Sequence, residues 1–132
     1  MASDALAPEP RHSVDQGVEV AYHLLLCATP TKPLCCAAER GAATWSRLKT
    51  LIRELGLEDP ARSGGVVLRT KVDCLRVCHD GPILMIWPDG ITYAGVTAER
   101  IERIVLEHVI GGRAVQEWIL SRSRFADRSH SP

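Results

Sequence analysis

"LRTKVDCLRVCHDGPILMIWPDGITYAGV", residues 68 to 96, decides how this chain folds. A β-prone run, "GGVVLRTKV" (64 to 72), leads into Cys74, and Cys78 stands four positions later. Beyond the second thiol, "PILMIW" and "ITYAGV" are two apolar runs joined by Pro88, Asp89 and Gly90, the composition of a hairpin turn with its proline early. Gly81 lets the chain turn sharply after Cys78, and Pro82, which lacks a backbone donor, suits the entry to a strand. If the stretch between the thiols formed one helical turn, Cys74 and Cys78 would stand on one side, their Cβ atoms about 5 to 6 Å apart. Such a pair can grip one metal centre.

Upstream, "VEVAYHLLLC" (18 to 27) is β-prone and apolar near its end, the pattern of a strand covered on both faces, and it delivers Cys27 at its C-terminal end. Pro30 and Pro33 oppose helix in the following loop, which ends in the doublet Cys35 and Cys36. From Ala37 the period becomes helical: Trp45, Leu48, Leu51, Ile52 and Leu55 form one stripe, and Gly56 fits the position just past a helix end. Downstream, Thr97 is placed to cap a helix through "AERIERIVLEHV", with Ile101, Ile104, Val105 and His108 on one face.

The order β, α, β, β, β, α predicts an α/β (α+β) domain, a small mixed sheet of about four strands with two main helices packed on it. Residues 1–17 mix Pro, Ser, Asp and Arg without periodicity and read as a disordered tail, residues 18–120 as the domain, and residues 121–132 as a flexible tail. Arg113, with Arg122, Arg124 and Arg128 of that polar end, forms an arginine cluster for which an acidic partner or simple solvation would account.

With 132 residues, 45% of them hydrophobic, the chain suffices for one core. Sixteen basic residues balance sixteen acidic ones, so no net field gathers nucleic acid or an anionic membrane surface. Neither a secretory signal nor a run of about 20 uncharged apolar residues is seen, and a cytoplasmic protein is expected. In a reducing compartment, clustered cysteines favour metal or redox chemistry over disulfides, and five thiols cannot all pair.

Three chemistries compete for these thiols. Structural zinc favours close-spaced knuckles, which the eight residues between Cys27 and Cys36 do not provide. A dithiol oxidoreductase wants C-x-x-C, which the sequence lacks, although the Cys35–Cys36 doublet keeps a thiol-dependent reading open. A 2Fe-2S cluster takes two ligands on each iron and tolerates wide spacing, so it fits best of the three.

"HLLLCATPTKPLCC" (23 to 36), the 68–96 stretch and "ERIVLEHVIGGRAVQEWI" (102 to 119) together resemble the thioredoxin-like 2Fe-2S ferredoxins. In that family a cysteine after the first strand, one before the first helix and a later C-x3-C bind the cluster. The resemblance covers residues 22 to 119. It implies a thioredoxin-like fold, one 2Fe-2S cluster held by Cys27, Cys36, Cys74 and Cys78, and a one-electron carrier rather than an enzyme. A redox donor and acceptor, and a possible homodimer, are implied with it. The alternative is a redox-sensing or regulatory module in which cluster or zinc only holds the fold.

The chain departs from many members in its shortened loop between the first two ligands. Counting forward from the family's second ligand, Trp45, Leu48 and Ile52 fall on the helix's apolar positions when Cys36 is that ligand. Starting from Cys35 slips the stripe by about 100°. Cys36 is therefore preferred and Cys35 kept as the alternative.

Four thiolates with two ferric ions and two sulfides leave a net charge near minus two, and near minus three on reduction. Lys71 and Arg76 are cations close enough in sequence to favour the reduced form, solvated surface charge being their ordinary alternative. His79 follows a ligand directly and reads as a surface imidazole with a modest influence on potential. Gly81 is assigned a geometric role, and thioredoxin-like folds leave room for a cis bond before Pro82. Trp87, Tyr93 and Trp118 are assigned to packing, and His108 to a satisfied core position.

Overall fold

The computed structural model describes residues 17–28, 37–77 and 79–127. The expected tail through residue 16, and Arg128, lie outside the described residues. Strand β1 (Val20–Cys27) pairs in parallel with β2 (Val66–Val72), and helix α1 (Ala38–Glu54) makes the crossover between them. β1 also pairs antiparallel with β3 (Ile83–Trp87), which turns at Pro88 to Gly90 into β4 (Ile91–Tyr93). A fifth strand, β5 (Ile119–Arg122), closes a sheet of order β2-β1-β3-β4-β5.

Alternation along the strands assigns the two faces. Leu24 and Leu26 of β1, Leu84 and Ile86 of β3, and Tyr93 of β4 meet Leu48, Leu51 and Ile52 of α1 and Ile101 and Ile104 of α2 (Ala98–Ile104). At about 1.5 to 3 kcal/mol for each fully buried large aliphatic, this one layer of side chains outweighs any surface pairing in the domain. The Thr44 hydroxyl of α1 donates to the Val96 carbonyl over 2.7 Å, holding α1 against the start of α2. Thr97 caps α2, its hydroxyl accepting from the Arg100 N–H at 3.3 Å.

α1 ends where Gly56 was expected to end it. With φ at +66° Gly56 adopts the left-handed conformation, and the Leu57 N–H then reaches back to the Ile52 carbonyl over 3.0 Å. Leu57 and Ile52 sit in the same buried cluster, which is the apolar contact that accompanies such an ending.

Three features differ from the sequence expectation. The sheet has five strands rather than about four: β5 is mostly exposed, lacks apolar alternation, and runs past the expected boundary at 120. It forms because Ile119 pairs with Tyr93 and Arg122 with Ile91, tertiary contacts that leave no local period. The C-terminal helix changes at Val105 into a π-helix (Val105–Ile110) that keeps Val105, His108 and Val109 buried. Beyond β5, Phe125 stacks on Trp87 with ring centroids 4.2 Å apart, so part of the expected flexible tail lies against the domain.

Candidate metal centre

The sheet register gathers the ends of the cysteine-bearing segments. Cys27, the last residue of β1, is paired with Val72, the last of β2, and with Ile83, the first of β3. Parallel pairing makes both chains leave the sheet at the same end, Cys27 directly and Cys74 two residues beyond Val72. The Cys27 sulfur lies 3.6 Å from the carbonyl oxygen of Asp73, the residue before Cys74. The first turn of α1 meets this same end: a Cβ on Gly41 would stand 1.7 Å from the Ala28 carbonyl oxygen. Ala37, which follows Cys36 in the chain, is the N-cap residue of that helix.

Cys27 and Cys74 occupy different environments. Cys27 is 3% exposed and shares a small apolar cluster with Ile83, against which Val72, Leu75, Val77 and Ala94 pack. Cys74 is exposed. The backbone N–H of Arg76 donates to its sulfur over 3.2 Å. That geometry is achieved with Arg76 in the left-handed region at φ +68°, sparsely populated by residues other than glycine. The stretch after Cys74 is therefore irregular and not the helical turn considered from the spacing.

Asp80 is also left-handed, at φ +58°, and supplies the carbonyl that accepts from the Gly95 N–H at 2.6 Å. With the Val96 N–H donating to the Pro82 carbonyl at 2.9 Å, the second cysteine loop is tied to the segment after β4. Gly81 is buried, and its bond to Pro82 is cis, as is that between Trp87 and Pro88.

The residues named as tuners fall in three different places. The Arg76 side chain is exposed, so its directed contribution is the backbone N–H rather than the guanidinium. Lys71 is paired with Leu26 and lies 5.8 Å from the Trp45 ring centroid, on the helix-covered side rather than on the side of Cys27. His79 is exposed, with its Nδ1 2.8 Å from Asp80 Oδ2, a solvated pair worth about 0 to 1 kcal/mol. His23 of β1 is hydrogen-bonded elsewhere, its Nε2 lying 2.8 Å from the Thr70 hydroxyl oxygen.

Beside Asp80 lies a shallow pocket of about 300 Å³ whose lining includes Gly95, Arg100, Glu117 and Trp118. Arg100 and Arg103 lie 4.7 and 4.9 Å from the Trp118 ring centroid. Arg103 also donates to Glu107 at 2.6 Å and to Glu117 at 3.1 Å, and its hydrogen bond holds the Glu117 carboxyl below its ordinary pKa. Trp118 therefore supports a charged surface lattice, where packing alone was expected.

Cys35, Cys36 and Cys78 lie outside the described residues. Among the described residues no three His, Cys, Asp or Glu side chains gather into a metal site. What they do show fits thiolate ligation of a cluster: one sulfur in an apolar nest, a second receiving a backbone N–H, and loops converging on one sheet end. The N–H directed at sulfur could not be read from the sequence, because it depends on a backbone conformation that arginine rarely adopts.

Fold and cysteine placement define a class, a thioredoxin-like α/β domain with thiols at the C-terminal end of its parallel strand pair. A 2Fe-2S ferredoxin of Aquifex aeolicus (strain VF5) is 33% identical over 55 residues, 42% of this chain and 50% of that protein. A 2Fe-2S ferredoxin of Clostridium pasteurianum is 32% identical over 69 residues, 52% of this chain and 65% of that protein. The chain thus spans between half and two thirds of the length of these relatives. A solved thioredoxin-like [2Fe-2S] ferredoxin from Aquifex aeolicus superposes with a TM-score of 0.63 at 23% identity, over 79% of this chain and 94% of that one. A variant of the thioredoxin-like ferredoxin from that organism gives 0.63 at 25% identity, over 76% and 99%. No family model matches the chain. In fold, and in sequence over part of its length, the chain is therefore similar to thioredoxin-like 2Fe-2S ferredoxins.

Proposed function

We propose that this protein is a one-electron carrier that binds one 2Fe-2S cluster through Cys27, Cys36, Cys74 and Cys78, with Cys35 as the alternative to Cys36. The observation that carries it is the register placing Cys27 beside Val72, two residues before Cys74, with the Arg76 N–H on the Cys74 sulfur. Held by those thiolates, a 2Fe-2S cluster would supply a couple that accepts and returns a single electron. The chain's part is to keep added negative charge tolerable. The N–H at Cys74 favours charge on that sulfur, as a hydrogen bond to an ionised group is stronger than one between neutral groups. The apolar cluster around Cys27 limits water on its side, while exposed Cys74 marks the side from which an electron is exchanged with a partner. All-cysteine plant-type clusters have potentials near −400 mV, and hydrogen bonds to the sulfurs and solvent exposure move the value from there.

A redox protein as donor, another as acceptor, and assembly as a homodimer in the cytoplasm complete this proposal. No helix among the described residues is long and apolar enough to cross a membrane. The test is anaerobic purification followed by visible absorption, iron and sulfide analysis, and electron paramagnetic resonance after dithionite reduction. About two irons and two sulfides per chain, with a signal appearing on reduction, is the expected result. A zinc-loaded protein would favour the structural module, and thiol-dependent turnover without iron would favour an oxidoreductase.

A further inference from the structure

His108 is completely buried, yet both ring nitrogens have polar partners. Nε2 lies 2.7 Å from Asp89 Oδ2, in the turn between β3 and β4, and Nδ1 lies 2.8 Å from the Tyr93 hydroxyl of β4. The Tyr93 oxygen in turn accepts from the backbone N–H of Val115 over 2.9 Å. Because a backbone N–H only donates, the Tyr93 proton is available for Nδ1, and the carboxylate then accepts from the Nε2–H. We propose that His108 is held as the neutral Nε2–H tautomer and acts as a latch that fastens the C-terminal strand to the domain.

The direction of the chain makes the latch sensitive to charge. It runs Val115 N–H to Tyr93 Oη–H to His108 Nδ1, and His108 Nε2–H to Asp89. A proton added at Nδ1 turns that acceptor into a donor, and the Tyr93 hydroxyl hydrogen loses its partner in a buried site. The groups that face this site are few. Asp89 sets a carboxylate against Nε2, while from β1 the Tyr22 ring meets the imidazole in a T-shaped contact, centroids 5.5 Å apart. Glu107 on the same helix and Arg122 on β5 act on Tyr93 with opposite sign.

What the latch holds follows from sequence distance. Val115 is separated from β5 only by the short 3-10 turn Gln116–Trp118, and the Ala94 N–H donates to the Trp118 carbonyl of that turn at 3.3 Å. β5 itself is a mostly exposed edge strand in which Ile119 packs against the core, so the rest of its attachment leans on such directed bonds. Releasing Tyr93 from Val115 therefore loosens β5 before it loosens β1 or β3.

Two measurements on the full chain test this. Long-range nitrogen–proton NMR on the unaltered protein should show His108 as the Nε2–H tautomer; an Nδ1–H tautomer or an imidazolium at neutral pH would overturn the proposal. In Tyr93→Phe, which removes only the hydroxyl, amide exchange at Val115 and in β5 should accelerate by about tenfold, with β1 and β3 unchanged. Unchanged β5 protection, or loosening spread equally through β1 and β3, would overturn it as well. If Tyr93→Phe does not fold, acid titration of the unaltered protein decides: Val115 and β5 must lose protection together with the change in His108 charge. Charging of His108 only on global unfolding would refute the latch.

Discussion

The backbone N–H of Arg76 points at the sulfur of Cys74 across 3.2 Å, from a residue whose φ of +68° belongs to glycine territory. A conformation that costs of order 1 kcal/mol persists when the surroundings over-determine it, and here it aims a donor at a sulfur. Replacing the arginine by glycine separates the donor from the charge. Arg76→Gly should keep the N–H contact and a cluster spectrum, with the potential moved by no more than about 40 mV, the one-electron equivalent of the roughly 1 kcal/mol an exposed charge contributes. Arg76→Pro, lacking the donor and unable to take this φ, should lose or strongly perturb the cluster. Equal spectra and potentials in both variants would show that the N–H has no part in holding the centre.

The cysteine doublet yields a paired outcome. Cys36→Ser should abolish iron and sulfide retention, as should Cys27→Ser, whereas Cys35→Ser should leave the visible spectrum intact. Iron, sulfide and absorbance on purified variants check it. The reverse result within the doublet would move the second ligand to Cys35.

Gly41→Ala should destabilise the domain, although alanine normally stabilises a helix interior by about 1 kcal/mol relative to glycine. The added methyl would stand 1.7 Å from the Ala28 carbonyl oxygen, so α1 has to move away from the strand end. A loss of about 1 to 3 kcal/mol in denaturant unfolding is expected, with weakened cluster retention because the helix start and Cys27 share this contact. Unaltered stability would mean that the helix start is not seated on Ala28.

Both tyrosines of the chain should resist ionisation. Burial is the largest cause raising the pKa of Tyr22 and of Tyr93, reinforced at Tyr22 by Asp89 and offset in part at Tyr93 by the Val115 N–H. A folded value raised above the unfolded one near 10 means that stability is fully present below about that pH and is lost as pH rises through the folded values. Absorbance of tyrosinate should therefore lag in the folded protein relative to the denatured chain above about pH 10. A folded titration that precedes the unfolded one would contradict the burial of these rings.

Legibility of the fold varied with how local each signal was. The stripe Leu48, Leu51, Ile52 and the cap pair Thr97 and Gly56 could be found because helix period and capping chemistry are written within one turn of chain. β5 escaped notice because Ile119, Leu120, Ser121 and Arg122 have no apolar alternation and are held by pairing to β4. Cys27 and Cys74 were recognisable as thiols in a spaced set, but their unequal burial was not, since it depends on Val72, Leu75, Val77 and Ala94 packing around one sulfur.

By itself the sequence determined the element order as far as α2, the core stripes, the hairpin at Pro88 to Gly90 and the cysteine spacing that narrows the chemistry to a thiolate centre. Tertiary structure alone decided which strand ends meet, through a parallel register of Cys27 with Val72, and which donor faces a sulfur, through a left-handed arginine. It also decided that His108 is satisfied on both sides by Asp89 and Tyr93. The physical reason is range: propensity, capping and period act within a few residues, whereas register, backbone strain and buried polar networks are settled by groups far apart in the chain.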